Sequence, residues 1–210
     1  MPPTARRAES TAKRAKVQAS VLEALEALLG EGETYAELNV ERIARRAGIS
    51  RTAFYFYFRD KREVLERLAE TVASELFTAA KLWFSGTEDD STAIPEAIGI
   101  IARLFAEHGP MVRAVIEVST YEPEVAAFWR GLLERFVDAT DRRIREEQLA
   151  GRAPDYPSRP TAFTLVWGVE RVLYQQLVQD DLLPHDELVD AIASTWTRSI
   201  YGRVPKSVGG

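Results

Sequence analysis

Apolar residues recur three and four positions apart along nearly the whole chain, and no stretch alternates singly for long enough to predict a strand. In "VQASVLEALEALL" the residues Val17, Val21, Leu25 and Leu28 form one helical stripe, with Gln18, Glu23 and Glu26 off it. The glycines of "GEGET" end that helix. Asn39 then caps a short helix whose Val40, Ile43, Ala44 and Ala47 share a face. Gly48 breaks it, Ile49 is an apolar plug, and Ser50 caps a further helix. That helix must be short, because "RDK" at 59–61 follows at once. Asp60 and Glu63 form an Asp version of the capping box. They open a long helix with Val64, Leu65, Leu68, Val72 and Leu76 on its stripe.

The polar segment "SGTEDDST", Ser85 to Thr92, is a linker. Beyond it, Gly109-Pro110 and Glu122-Pro123 each place a proline where a helix stops and the next begins. A long helix is expected from about Glu124 to Leu149, then a loop over "AGRAPDYPSRP", Ala150 to Pro160. Two last helices follow, near Thr161–Gln179 and His185–Tyr201, with a frayed tail "GRVPKSVGG". In the first of this pair Leu165, Val166, Trp167, Val169, Val172, Leu173 and Tyr174 nearly surround the axis. Such a helix is buried on more than one side, in a core or against a partner subunit. The fold class is therefore all-α, with about nine helices. Three parts are expected: a basic, flexible arm over 1–16, a helix-turn-helix head over 17–62, and a helical body over 63–205.

Charge changes this picture. The net charge is −5, yet residues 1–16 carry +4, residues 39–62 carry +5 and residues 71–210 carry −7. A basic end on an acidic body suggests a polyanion-binding head, although a pair of solvated basic faces would look the same. The absence of cysteine excludes disulfides, thiolate metal sites and a cysteine nucleophile, and fits a cytoplasmic protein. No apolar run approaches the roughly 20 residues that span a bilayer, and no apolar segment follows the charged N-terminus as in a secretory signal. His108 and His185 are the only histidines, neither has a partner at a recognisable spacing, and no glycine-rich phosphate loop is visible. No enzyme, metal or cofactor chemistry is expected.

The chemistry lies in "AGISRTAFYFYFRDK", where five consecutive aromatics, Phe54 to Phe58, sit among cations. Two short helices joined by "AGIS" read as a helix-turn-helix. Phe54 and Phe58 are four apart and pack inward. Arg51, Thr52 and Ala53 occupy the first turn, the part that reaches base edges when such a helix enters a major groove. Tyr55, Phe56 and Tyr57 lie beyond, where a phenol hydroxyl suits phosphate and an aromatic edge suits a thymine methyl. Lys61 adds a cation.

Taken together, "NVERIARRAGISRTAFYFYFRDKREVL" resembles the helix-turn-helix of the tetracycline-repressor (TetR) family, through Asn39, Ile43-Ala44, Ala47–Ser50, Phe54–Phe58 and Asp60-Lys61 with Glu63 and Leu65. With "WTRSIYG" at Trp196–Gly202, the chain is most similar to the branch of the mycobacterial ethionamide-resistance regulator. The resemblance implies that Ser50, Arg51, Thr52, Ala53 and Phe56 face bases and that Asn39, Tyr55, Tyr57 and Lys61 hold phosphates of an operator. It implies a homodimer formed through the last two helices. It also implies a repressor released from a near-palindromic operator by a small lipophilic effector.

The body's own residues leave two readings open. Phe105, Trp129, Phe136, Trp167 and Tyr174 line a ligand space, with Thr140 and Glu170 as polar anchors, or they simply form core. For Glu170 a salt bridge to Arg171 or a solvated face competes with a ligand contact. The alternative for the whole protein is a DNA-binding regulator or architectural protein with a plain packed core and no effector.

Overall fold

A computed structural model describes residues 3–86, 93–179 and 183–202; the expected frayed tail beyond Gly202 and most of the polar linker lie outside them. The helices are α1 (Pro3–Gly30), α2 (Val40–Arg46), α3 (Arg51–Phe54), α4 (Lys61–Phe84), α5 (Ala93–Glu107), α6 (Gly109–Ser119), α7 (Pro123–Leu149), α8 (Ser158–Leu173) and α9 (His185–Tyr201), with a π-helical segment, Tyr174–Gln179, continuing α8. No strand occurs among the described residues. The chain forms two units. The first holds the described residues up to Thr71 together with Pro110–Ala126; the second holds those of Val72–Gly109 and from Ala127 onward.

In the first unit α1 packs on α2 and α2 on α3. Val21, Leu25 and Leu28 of the α1 stripe are buried, as are Ile43, Phe54, Phe58, Val64 and Leu65. The capping residues act as their spacing predicts. The Asn39 Oδ1 accepts from the Arg42 N–H at 2.9 Å, and the Ser50 Oγ accepts from the Ala53 N–H at 3.1 Å. The Glu63 N–H donates to Asp60 at 2.9 Å, while the Glu63 carboxylate accepts from the Arg59 N–H at 2.8 Å. This unit also holds Pro110–Ala126, which sequence order alone would assign to the body.

In the second unit α5 packs against α9 and the π-helical segment, and α8 against α9. The Trp83 indole N–H donates to the Tyr201 hydroxyl at 3.1 Å, and the Trp83 ring meets Trp196 edge-on at 5.8 Å. At the end of α7 the buried Glu147 receives Arg143 and Arg152, each at 2.7 Å. The Gln148 side chain donates to the Pro154 and Tyr156 carbonyls, which holds the turn into α8. The Tyr156 hydroxyl donates to the Ile200 carbonyl at 2.9 Å, and burial pushes its pKa up to about 12.

Three features differ from the sequence expectation. Helix α1 begins at Pro3, so the basic arm is helical and continuous with the first core helix. Its alanines, lysines and arginines are good helix formers, and helix once started propagates readily. The loop after α7 ends sooner, because Pro160 lies in the first turn of α8, where its missing N–H costs nothing. Helix α8 gives way to π-helix at Tyr174, a change that a six-residue apolar pattern cannot distinguish from 3.6-residue spacing. The Gln176 side chain pins that segment by exchanging two hydrogen bonds with the Leu183 backbone, at 2.7 and 3.0 Å.

Candidate nucleic-acid interface

Helix α2 ends in a Schellman turn. The Gly48 N–H donates to the Arg45 carbonyl, the Ile49 N–H donates to the Ala44 carbonyl, and Gly48 sits at φ +70°. That left-handed residue lets the chain reverse in two positions and deliver Ser50 as a cap. Helix α3 is α-helical only over Arg51–Phe54. Tighter bonds carry it on, from the Phe56 N–H to Ala53 and the Tyr57 N–H to Phe54, before the Phe58 N–H returns to Phe54.

This geometry sorts the five aromatics. The Phe54 and Phe58 rings are buried with centroids 5.6 Å apart. Phe56 is 73% exposed and Tyr55 is 50% exposed. Tyr57 is half-buried, and the Arg14 guanidinium of α1 lies over its ring at 5.9 Å. Arg51 and Thr52 are exposed, and Ala53 is half-buried. A face of Arg51, Thr52, Tyr55 and Phe56 is thus open to a duplex, with Arg14 at its edge. Sequence reasoning missed Arg14, because its distance from Tyr57 along the chain hides the contact.

Most cations of the head are engaged within the chain. Arg42 pairs with Glu33, Arg45 with Glu41 and Arg46 with Glu31, at 2.5–2.9 Å. Arg59 pairs with Glu63, and Arg62 with Glu122 and Glu124. Among the described residues, Arg51 alone of the cations in 39–62 makes no side-chain ion pair or hydrogen bond. Exposed pairs of this kind are worth about 0–1 kcal/mol, so phosphates can displace the acids at small cost.

Lys61 is engaged within the head. Its Nζ donates to the Tyr35 and Leu38 carbonyls, both at 2.7 Å, and lies 4.4 Å from the Tyr35 ring centroid. Burial lowers its pKa, and Glu122 offsets part of that. The ammonium therefore clamps the turn that leads into Asn39, with two of its three N–H donors committed there. Asn39 and Ser50 are exposed, but one side-chain oxygen of each is occupied by its cap. The Asn39 amide nitrogen remains for an anion.

In the second unit, Phe105, Trp129 and Tyr174 are buried, and Phe136 meets Phe77 at 5.3 Å. Trp167 is half-buried against Phe163 at 5.9 Å. Thr140 and Glu170 are buried, which excludes a solvated face for Glu170, and the expected ion pair to Arg171 is present at 3.7 Å. The Thr140 hydroxyl, the Trp167 and Trp196 indole nitrogens and both Glu170 oxygens have no hydrogen-bond partner among the described residues. The sequence presents Trp196 only as an apolar residue, because periodicity reports burial and says nothing of a donor left over.

Two short helices meeting at a left-handed glycine, with the second baring a cation and two aromatics, define a helix-turn-helix DNA-binding head. Residues 21–68 match the model of bacterial regulatory proteins of the tetR family, and residues 94–202 match that of the C-terminal domain of the transcriptional regulator EthR. The chain belongs to the TetR family, in the branch that carries the EthR C-terminal domain. It is 33% identical over 196 residues to the HTH-type transcriptional regulator EthR of Mycolicibacterium smegmatis, covering 90% of this chain and 88% of that one. Its fold is similar to a TetR-family transcriptional regulator from Syntrophomonas wolfei, with a TM-score of 0.72 at 17% identity over 95% of this chain and 100% of that chain. FadR from Bacillus subtilis, solved in complex with stearoyl-CoA, has the same fold, with a TM-score of 0.72 at 15% identity over 88% of this chain and 98% of that one. The protein is a DNA-binding transcriptional regulator and not an enzyme.

Proposed function

We propose that this regulator is a homodimeric repressor of the cytoplasm that leaves a near-palindromic operator when its second unit takes up a small lipophilic molecule. The observation that carries the effector is the set of unpartnered buried polar atoms on α7, α8 and α9, at Thr140, Trp167, Glu170 and Trp196. Each such group costs about 1–3 kcal/mol, and folded proteins hold few of them. An effector that supplied the missing partners would recover that cost. Outward-facing Phe163 and Val172 on α8 and Leu183 ahead of α9 support dimerisation through the last two helices.

Each protomer would present the Arg51–Phe56 face to one major groove, with the two heads roughly 34–36 Å apart. Ser50, Arg51, Thr52, Ala53 and Phe56 read bases in this scheme, and Asn39, Tyr55 and Tyr57 hold phosphates. Helix α4 contributes residues to both units, so it is the lever through which occupancy of the second reaches the first. Linkage is reciprocal: an effector that weakens operator binding by some factor is itself bound more weakly, by the same factor, on the operator.

The test begins by selecting duplexes from a random pool with the full-length protein. The selected operator is then titrated with and without an extract of lipophilic small molecules. Selection of a two-fold symmetric site, and its release by a component of the extract, is expected. Tight binding that no small molecule alters would favour a packed-core regulator without an effector.

A further inference from the structure

Glu170 sits on α8 with 2% of its surface exposed, and neither carboxylate oxygen accepts a hydrogen bond among the described residues. Two neighbours approach without satisfying it. The Arg171 Nε forms an ion pair with it at 3.7 Å, too long for a hydrogen bond, and the half-exposed guanidinium also stacks over Tyr174 at 5.1 Å. The Trp129 indole N–H approaches the carboxyl closely enough to lower its pKa, short of full hydrogen-bond geometry. Burial raises the pKa of this carboxyl, and Arg171 and Trp129 offset only part of the rise. Desolvating one ion costs several kcal/mol even after relaxation, and an apolar side chain of similar volume would avoid that cost. The flanking Val166, Val169 and Leu173 are buried and apolar.

What is missing is defined by chemistry. An ionised carboxylate only accepts hydrogen bonds, so a carbonyl or ether oxygen cannot complement it. An anionic group would be repelled. An ammonium supplies positive charge and two or more N–H donors at once, and charge-assisted bonds of that kind are about twice as strong as neutral ones. The surroundings, with Trp129 and Trp167 on adjoining helices, suit an apolar body and add cation–π attraction. We infer that the effector is a lipophilic amine whose ammonium hydrogen-bonds to the Glu170 carboxylate while its apolar part packs among the aromatic residues of α7 and α8. The inference rests on the ligand-responsive reading above and gives that site its chemical class.

The test uses the full-length protein near neutral pH with three probes of matched chain length: n-decylamine, n-decanol and decanoic acid. An alkylamine is protonated there, as a lysine is. Binding is measured by calorimetry and by the shift in Tm, and release from the selected operator by fluorescence anisotropy. Decylamine is expected to bind at least about tenfold more tightly than decanol, which corresponds to about 1.4 kcal/mol. Decanoate is expected to bind most weakly. Glu170→Gln should remove the preference for decylamine, and Glu170→Asp, which keeps the charge, should retain most of it; helical circular dichroism confirms that both are folded. Equal affinity for amine and alcohol, an unchanged decylamine affinity in Glu170→Gln, or no decylamine binding would each overturn the assignment. Operator release by decanol or decanoate in those cases would leave the ligand-responsive reading standing. Indifference of the operator complex to all three probes would count against that reading too.

Discussion

Phe54 and Phe58 stack inside the head at 5.6 Å and a 35° tilt, while Tyr55 and Phe56 of the same pentad face water. One helical turn separates the two roles. Phe54→Ala empties a fully buried site and should cost about 3–5 kcal/mol. Phe56→Ala should change stability by no more than about 0.5 kcal/mol yet weaken operator binding. Chemical denaturation and anisotropy titration on both variants check the pair. Equal destabilisation would show that Phe56 packs in the head after all.

Arg51 and Lys61 should part in their effects, because one is unpaired and the other is clamped. Arg51→Ala is expected to cost about 1–3 kcal/mol of operator affinity and to relax preference at one base pair. Lys61→Ala should lower head stability, because two carbonyls then go without their donor, and leave the salt dependence of binding nearly unchanged. A salt slope reduced by about one for Lys61→Ala would restore it as a phosphate ligand.

The helical start of α1 exposes Lys13, Arg14 and Lys16, with Arg14 against Tyr57. Replacing all three by alanine should reduce the salt slope by about 0.9 for each phosphate that is no longer neutralised. Base preference should not change, since cation contacts to phosphate carry no sequence information. Affinities of operator and scrambled duplex at several salt concentrations measure both quantities.

Two carboxylates should give opposite pH dependences. For Glu63, burial would raise the pKa, but the Arg59 N–H and the Arg67 and Arg59 guanidinium groups together hold it below the ordinary value. The folded state thus binds its proton more weakly than the unfolded chain. The stabilisation is complete above the unfolded pKa and is lost as pH falls through the folded one. Glu63→Gln should cost about 1 kcal/mol at neutral pH and much less in acid. For Glu170 the folded pKa is raised, so the folded state binds the proton more tightly. Stability should decline as pH climbs from the ordinary glutamate range through the raised value. Glu170→Gln should flatten that decline, and melts of both variants across pH 3–8 (roughly the range where carboxylates titrate) resolve them.

Much of the head is legible in residue order because its devices are local. Asn39, Ser50 and the Asp60–Glu63 box act within four residues, and Gly48 answers only to its own φ. The inward pair Phe54 and Phe58 follows from helical spacing alone. What escapes is the fate of long side chains. Lys61 can swing several ångströms, and its carbonyl partners lie more than twenty residues back. The arginines of 39–62 read as a phosphate-binding set until their acidic partners in 31–33 and 122–124 are placed beside them.

The sequence by itself determined the helices, their caps, the left-handed turn and the family, because short-range sterics and periodicity are complete within a few neighbouring residues. Only the tertiary structure decided that Arg51 stands unpaired and that Lys61 is a clamp. It also decided that Glu170 lies buried with only a long ion pair to Arg171 and a near approach of Trp129. Those outcomes depend on which residues distant along the chain become neighbours in space, and on how much water is excluded where they meet.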